Sequence, residues 1–377
     1  MKKNLIVLMI DGARLDYSSK SKIFNSLKQS SVYFSQPITY GPHTIAAMHA
    51  VFSGTYGTKT GTNSYWSTYQ FKKDKFKTIS EYLHDESYYT KADIVNELVI
   101  PKQGLDEFFI HDEMKDDLTL RHKTLLEEMK SKNDQGQSFF LYLQYSNIHT
   151  GIMNEVLKVY DNFSKEYFDN KEKNEKRYDA LFKNAEKYLT EMLQKIKELG
   201  FLENSLILVM SDHGISVGEK VGERAYGAFC YDYTLRTFAY LLMPEIHPVE
   251  ISQQVRTIDF MPTLLDYLTI PLDTNYQLID GESLIPLIKG EKIPEKIAYS
   301  ETGNPLHDTK PPKEPNTKSV RTSQWKLILN EYDGTKELYD LVNDPHENRN
   351  LSGTGLKIEK TLFKKLEILS SGEDLSE

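Results

Sequence analysis

The chain has 377 residues, 39% of them hydrophobic and 27% charged, with a formal net charge of -9 at neutral pH. These are the proportions of a soluble globular protein, and no run of about 18 apolar residues exists to span a bilayer. The acidic balance excludes broad binding to nucleic acid polymers, because that affinity comes from clustered Lys and Arg; an anionic ligand has to be held locally, by a metal or by a few placed groups.

In chain order, MKKNLIVLMI imitates a secretory signal, but Asp11 stops the apolar run and no small-residue cleavage site follows. A buried first strand over Leu5–Ile10 is expected instead. Further continuous apolar runs at Phe139–Tyr145 and Leu206–Met210 read as strands buried on both faces of a parallel sheet. Helical patterns fall between them, at Thr44–Phe52, Thr78–His84, Leu118–Lys130, Tyr178–Leu199 and Asp259–Leu268. The Tyr178–Leu199 stripe, stopped by Gly200 and followed by Leu206–Met210, is a helix-to-strand unit of an α/β fold. The polar stretch Asp161–Lys176 reads as a solvated excursion. Composition shifts near Lys289–Glu295 and in the proline-rich loop Lys310–Asn316. Strand-like pieces follow at Ser319–Thr322, Lys326–Asn330 and Lys336–Tyr339, then a helix at Ile358–Leu369. Residues 1–295 are therefore expected to form the main domain and 296–377 a smaller subdomain packed on it. The single cysteine, Cys230, excludes an intrachain disulfide and suits a reducing, cytoplasmic setting.

Asp11 directly follows the first strand and Asp212-His213 another, so both loops fall where sites form in open α/β sheets, beyond the carboxyl ends of the strands. Two carboxylates and an imidazole suit Zn²⁺ or Mn²⁺ better than Ca²⁺ or Mg²⁺. Taken singly, an Asp after a strand is commonly a turn residue. Gly41-Pro42-His43-Thr44 leads into an apolar helix, which places Thr44 at a helix N-terminus, as an ordinary cap or, beside a metal, as a nucleophile.

The strings IDGARLDY, GPHTIAAMHAVFSGTYGTKTGT, LILVMSDHG, TIDFMPTLLDYLTIP, DGESLIPLIKG and ELYDLVNDPHENRNL occur in that order over nearly the whole chain. Together they resemble the sulfatase family of the alkaline phosphatase superfamily. The resemblance implies an α/β sandwich with a central mixed, mostly parallel sheet flanked by helices, plus a smaller C-terminal antiparallel sheet. It implies Asp11, Asp212 and His213 as metal ligands, and Thr44 as a nucleophile that also touches the metal. Asn63 matches an asparagine that phosphodiesterase-like members place on the substrate, although a turn role weighs equally. His149 resembles a strand-end histidine that binds the ester or leaving group. One ion is expected; a second would draw on His149 and His307. Lys220 and Arg224 read as surface partners of Glu219 and Glu223 rather than phosphate ligands.

The departures from the family bear on the substrate. Classical members use a Cys or Ser converted to formylglycine in a Cys-x-Pro-x-Arg signature; this chain has Thr44-Ile45-Ala46-Ala47-Met48. After the first strand Asp11 is followed by Gly12, as in nucleotide pyrophosphatases. The expectation is a metal-dependent hydrolase or transferase of phosphate esters, acting on a small or headgroup-like anionic substrate. A sulfuric ester hydrolase without formylglycine and a non-catalytic binding member are the alternatives.

Overall fold

The computed structural model describes residues 2–157, 170–220, 229–303 and 314–373. Its strands are β1 (Asn4–Ile10), β2 (Val32–Phe34), β3 (Pro37–Ile38), β4 (Tyr89–Ile94), β5 (Glu107–Ile110), β6 (Phe139–Tyr145), β7 (Ser205–Met210), β8 (Ala239–Leu242), β9 (Val249–Ile251), β10 (Val255–Arg256), β11 (Ala298–Thr302), β12 (Thr317–Arg321), β13 (Trp325–Asn330) and β14 (Thr335–Asp340).

Eight of them build one sheet in the order β5-β4-β6-β1-β7-β8-β2-β9. From β5 to β7 every pairing is parallel; β8 runs antiparallel to β7 and to β2, and β9 is parallel to β2. This is the mixed, mostly parallel sheet expected. Side chains alternate across a strand, so each central strand feeds two layers. In β1, Leu5, Val7 and Met9 enter one core with the Thr44–Ser53 and Phe260–Tyr267 helices. Ile6, Leu8 and Ile10 enter the other with the Leu118–Asp134 and Lys171–Glu198 helices. The long helix buries Tyr178, Phe182, Ala185, Tyr188, Leu189, Met192 and Ile196 along one stripe. It starts at Lys171, so the tail of the supposed excursion Asp161–Lys176 is helical; residues 158–169 lie outside the described residues.

β11 to β14 form a separate antiparallel sheet, with the Lys357–Ser370 helix against its face. Backbone and side chains tie it to the main sheet's loops. The Glu301 N–H donates to Tyr40 O at 3.0 Å, and buried Lys326 is shared between Asp232 at 2.9 Å and Glu347 at 2.8 Å.

Candidate active site

Because β4, β5, β6, β1 and β7 run parallel, their carboxyl ends share one rim. After β1 the chain turns at Asp11-Gly12. Gly12 has φ of +72°, which glycine takes without strain, and a Cβ there would stand 2.5 Å from the Ile215 Cδ1 tip. Its freed N–H donates to Asp212 Oδ1 at 3.1 Å, beside the His213 N–H at 2.9 Å. Asp212 is thereby fixed by one oxygen. Its other, Oδ2, is buried with no hydrogen-bond partner among the described residues.

His213 Nδ1 lies 2.8 Å from Gly214 O. A carbonyl only accepts, so Nδ1 carries a hydrogen and Nε2 is the nitrogen turned to the site. Nε2 stands 3.4 Å from Asp212 Oδ2 and 3.7 Å from Asp11 Oδ1. Two carboxylate oxygens and a ring nitrogen thus face one another in a buried space, a donor set that suits a cation.

Thr44 opens the Thr44–Ser53 helix, but the cap is His43, whose Nδ1 accepts from the Ala46 N–H at 3.4 Å. The Thr44 hydroxyl is therefore not used in capping. Its Oγ1 lies 3.3 Å from Asp11 Oδ2 and 3.3 Å from His213 Nε2. His149 sits not on the strand but in the first turn of the Asn147–Leu157 helix after β6, with Nδ1 3.3 Å from Asp11 Oδ1. Gln144 Nε2 donates to Asp11 Oδ2 at 2.8 Å, while its Oε1 accepts from the Val95 N–H at 3.0 Å.

The electrostatics follow from burial and crowding. Burial and the charge of Asp11 push Asp212 up to about 6. Burial also pushes Asp11 up, but His149, His213 and Gln144 outweigh it and hold that carboxyl below its ordinary range. His149 is pushed down by burial and raised further by Asp11, Asp212 and Glu113, with a net upward shift. His43 is pushed down to about 3 by burial and by His213, and stays neutral.

Asp11, His149 and His213 offer ligand atoms within 4.8 Å of one another. With the orphaned Asp212 Oδ2, they fit a divalent ion. A second such group is Asp93, His111 and His122. Sequence reading missed it, as it missed Gln144 and His43; the one amide inside the apolar run FFLYLQY was the available signal for Gln144.

Asn63 Oδ1 accepts from Ser67 Oγ at 3.0 Å. Lys220 does not pair with Glu219. Its Nζ donates to Glu347 O and, at 3.3 Å, to His346 O, while Glu219 pairs with the buried guanidinium of Arg14 at 2.5 Å. Arg14 also bonds Ile215 O at 3.1 Å, inside the loop that carries Glu219. His307 and Arg224 lie outside the described residues.

The fold is that of the alkaline-phosphatase-like superfamily. It is shared with BT4656, solved in complex with its substrate D-Glucosamine-2-N, 6-O-disulfate (TM-score 0.75, 18% identity, 99% of this chain and 98% of that one). It is also shared with the phosphonate monoester hydrolase SpPMH from Silicibacter pomeroyi (TM-score 0.73, 15% identity, 98% and 94%). Within it the chain belongs to the sulfatase family, whose model matches residues 3–270, and residues 226–371 match the N-sulphoglucosamine sulphohydrolase C-terminal family. Members of this family generally use a divalent metal. Arylsulfatase K of Bos taurus is 27% identical over 197 residues, 50% of this chain and 35% of that protein. N-acetylglucosamine-6-O-sulfatase of Bacteroides thetaiotaomicron is 30% identical over 191 residues, 47% of this chain and 32% of that protein. The matched stretches thus span about a third of these relatives' length.

No helix among the described residues is long and apolar enough to cross a membrane.

Proposed function

We propose that this chain is a metal-dependent hydrolase or transferase of phosphate esters in which Thr44 is the nucleophile. The observation that carries this is the placement of Thr44 Oγ1, 3.3 Å from both Asp11 Oδ2 and His213 Nε2 and uninvolved in capping its helix. Asp11, Asp212, His213 and Thr44 would hold the ion, with Zn²⁺ or Mn²⁺ favoured by the imidazole. When bound, the ion lowers the hydroxyl's pKa and neutralises charge on the ester oxygens.

The chain's own groups do the rest. Asp11 Oδ2 aims the Thr44 hydroxyl by accepting its hydrogen bond, and His213 Nε2 flanks it at 3.3 Å. Thr44 Oγ1 attacks phosphorus in line as the P–O bond to the alcohol breaks, giving phosphothreonine and the free alcohol. Water or an acceptor alcohol then displaces Thr44 from phosphorus. The N-terminus of the Thr44–Ser53 helix favours the anion, and His149, raised toward its cationic form, faces the ester. We assign this site to residues 1–295, with 296–377 as the subdomain packed on it.

Phosphorus is preferred because the sole cysteine, Cys230, is buried against Ile328 and Tyr339 of the C-terminal sheet, and threonine occupies the nucleophile position. The phosphonate monoester hydrolase on the same fold supports it. The names of the curated relatives favour a second reading, sulfuric ester hydrolysis without formylglycine. Turnover of aryl phosphate mono- and diesters and of aryl sulfate, with Zn²⁺ or Mn²⁺ added, separates the two. Phosphate ester cleavage that Thr44→Ala abolishes is expected; sulfate cleavage alone would establish the second reading.

A further inference from the structure

On the same rim, one strand away from the site, stands a buried chain of polar groups that the reaction does not use. Asp93 lies near the end of β4, His111 just past β5 and Ser146 just past β6. All three are buried, the Asp93 and His111 side chains completely. His111 Nδ1 lies 2.5 Å from Asp93 Oδ1, and its Nε2 lies 2.9 Å from Ser146 Oγ. Arg121 Nε donates to Asp93 Oδ2 at 2.5 Å. This is the geometry of an Asp–His–Ser relay, but a sealed Ser146 meets no substrate.

The relay has a mechanical output. Ser146 O accepts the Thr150 N–H at 3.0 Å, which starts the helix holding His149, and Thr150 Oγ1 is tied to Glu113 at 2.6 Å. Three residues past Ser146, His149 reaches Asp11 Oδ1. We propose that Asp93, His111 and Ser146 are positioning residues that fix the start of this helix and so hold His149 against Asp11. Ser146 is pinned at its hydroxyl by the relay and at its carbonyl by the helix, so neither end of the turn slips.

A metal at Asp93, His111 and His122 is the rival occupant, and two observations weigh against it. Ligand atoms on a tetrahedral Zn²⁺, each about 2.0–2.1 Å from it, stand roughly 3.4 Å apart. His111 Nδ1 and Asp93 Oδ1 are only 2.5 Å apart, which suits a shared proton. Arg121 already balances the Asp93 charge, so a dication would add buried positive charge that Asp93 no longer meets.

The test is nitrogen-detected NMR of the histidine rings in the full chain at fixed pH without metal, comparing wild type, Ser146→Ala, His111→Gln and Ser146→Thr. Ser146→Ala and His111→Gln are expected to remove the hydrogen-bond signature of His149 Nδ1, and Ser146→Thr, which keeps the hydroxyl, to restore it. Unchanged His149 resonances in folded Ser146→Ala overturn the proposal. Should His111→Gln fail to fold, Ser146→Ala decides, since it removes a single oxygen. Zn²⁺ that shifts His111 and His122 directly also overturns it, in favour of a second metal site. This readout stands whether or not the ester chemistry proposed above is right. If it is, Ser146→Ala also weakens Mn²⁺ affinity about 10-fold or more by calorimetry.

Discussion

Two buried clusters of aspartate and histidine sit on the same rim, built from the same residue types and differing in charge balance. Around Asp93 the carboxylate meets Arg121 at one oxygen and His111 at the other, so its charge is met on both sides and it is held well below the carboxylate range. Around Asp11 two carboxylates share one space without an arginine among their hydrogen-bond partners, and Asp212 Oδ2 has none among the described residues. The difference teaches that burial of Asp and His is not by itself a metal signature; the unmet charge is. In the first cluster the carboxylate charge is met, and the atom left without a hydrogen bond among the described residues is the ring nitrogen His122 Nε2, 3.6 Å from Asp93 Oδ1; in the second the atom left over is a carboxylate oxygen, which a cation would meet.

The sharpest way to break this comparison is at Thr44. If the unmet cluster is the reactive one, Thr44→Ala lowers phosphate ester turnover by at least about 10³-fold, with circular dichroism and metal content unchanged. A loss below about tenfold would move the nucleophile elsewhere. The next largest effect is expected in the balanced cluster. Arg121→Met leaves Asp93 charged, buried and half-partnered, and is expected to cost about 3 kcal/mol in urea denaturation. That is the low end for such a loss, because the Arg121 side chain is 31% exposed. A cost below about 1 kcal/mol would mean that the histidines carry the compensation.

Asp212→Asn works in the opposite direction. Held at about 6 by burial and by Asp11, Asp212 binds its proton more tightly in the folded state than in the unfolded one, whose value is 3.8. Metal-free stability therefore falls as pH rises from about 4 to about 6, and the penalty persists above. Asparagine keeps an oxygen for the Gly12 and His213 N–H groups and removes the charge. Metal-free Asp212→Asn is thus expected to be more stable than wild type at pH 8, on the order of 2 kcal/mol, while losing the stabilisation that Mn²⁺ gives wild type. Thermal melts with and without Mn²⁺ check both halves. A destabilised metal-free variant would show that Asp212 is not under charge stress.

What the sequence made legible tracks the same physics. β1, β6 and β7 are central and covered on both faces, so their apolar runs were readable, and the residues just past β1 and β7 located Asp11, Asp212 and His213. β4 was not readable, since it buries Thr90, Lys91 and Asp93 in polar contacts, and β5 is an edge strand exposed at all four positions. The balanced cluster escaped for a related reason: Asp93, His111 and His122 come from a strand, a strand end and the Leu118–Asp134 helix with no shared motif, and only the packing of that helix on the sheet joins them. His149 was found by resemblance, while the helix that delivers it to Asp11 was seen only in the fold.

The smallest effect tests whether the balanced cluster is closed at its far side. His122 Nδ1 lies 2.7 Å from Tyr188 OH, and its Nε2 stands 3.6 Å from Asp93 Oδ1. If the tyrosine donates to Nδ1, the ring hydrogen sits on Nε2 and faces the carboxylate, an attractive arrangement that needs no ion. Burial pushes His122 down despite Asp93. Tyr188→Phe removes the donor while keeping the ring stacked 4.2 Å from Tyr145. It is expected to cost about 1 kcal/mol and to shift the His122 nitrogens away from the Nε2–H pattern, with Zn²⁺ uptake unchanged. Zn²⁺ uptake lost along with the tyrosine would mean that Nε2 carries a lone pair and binds an ion, and the two clusters would then be alike after all.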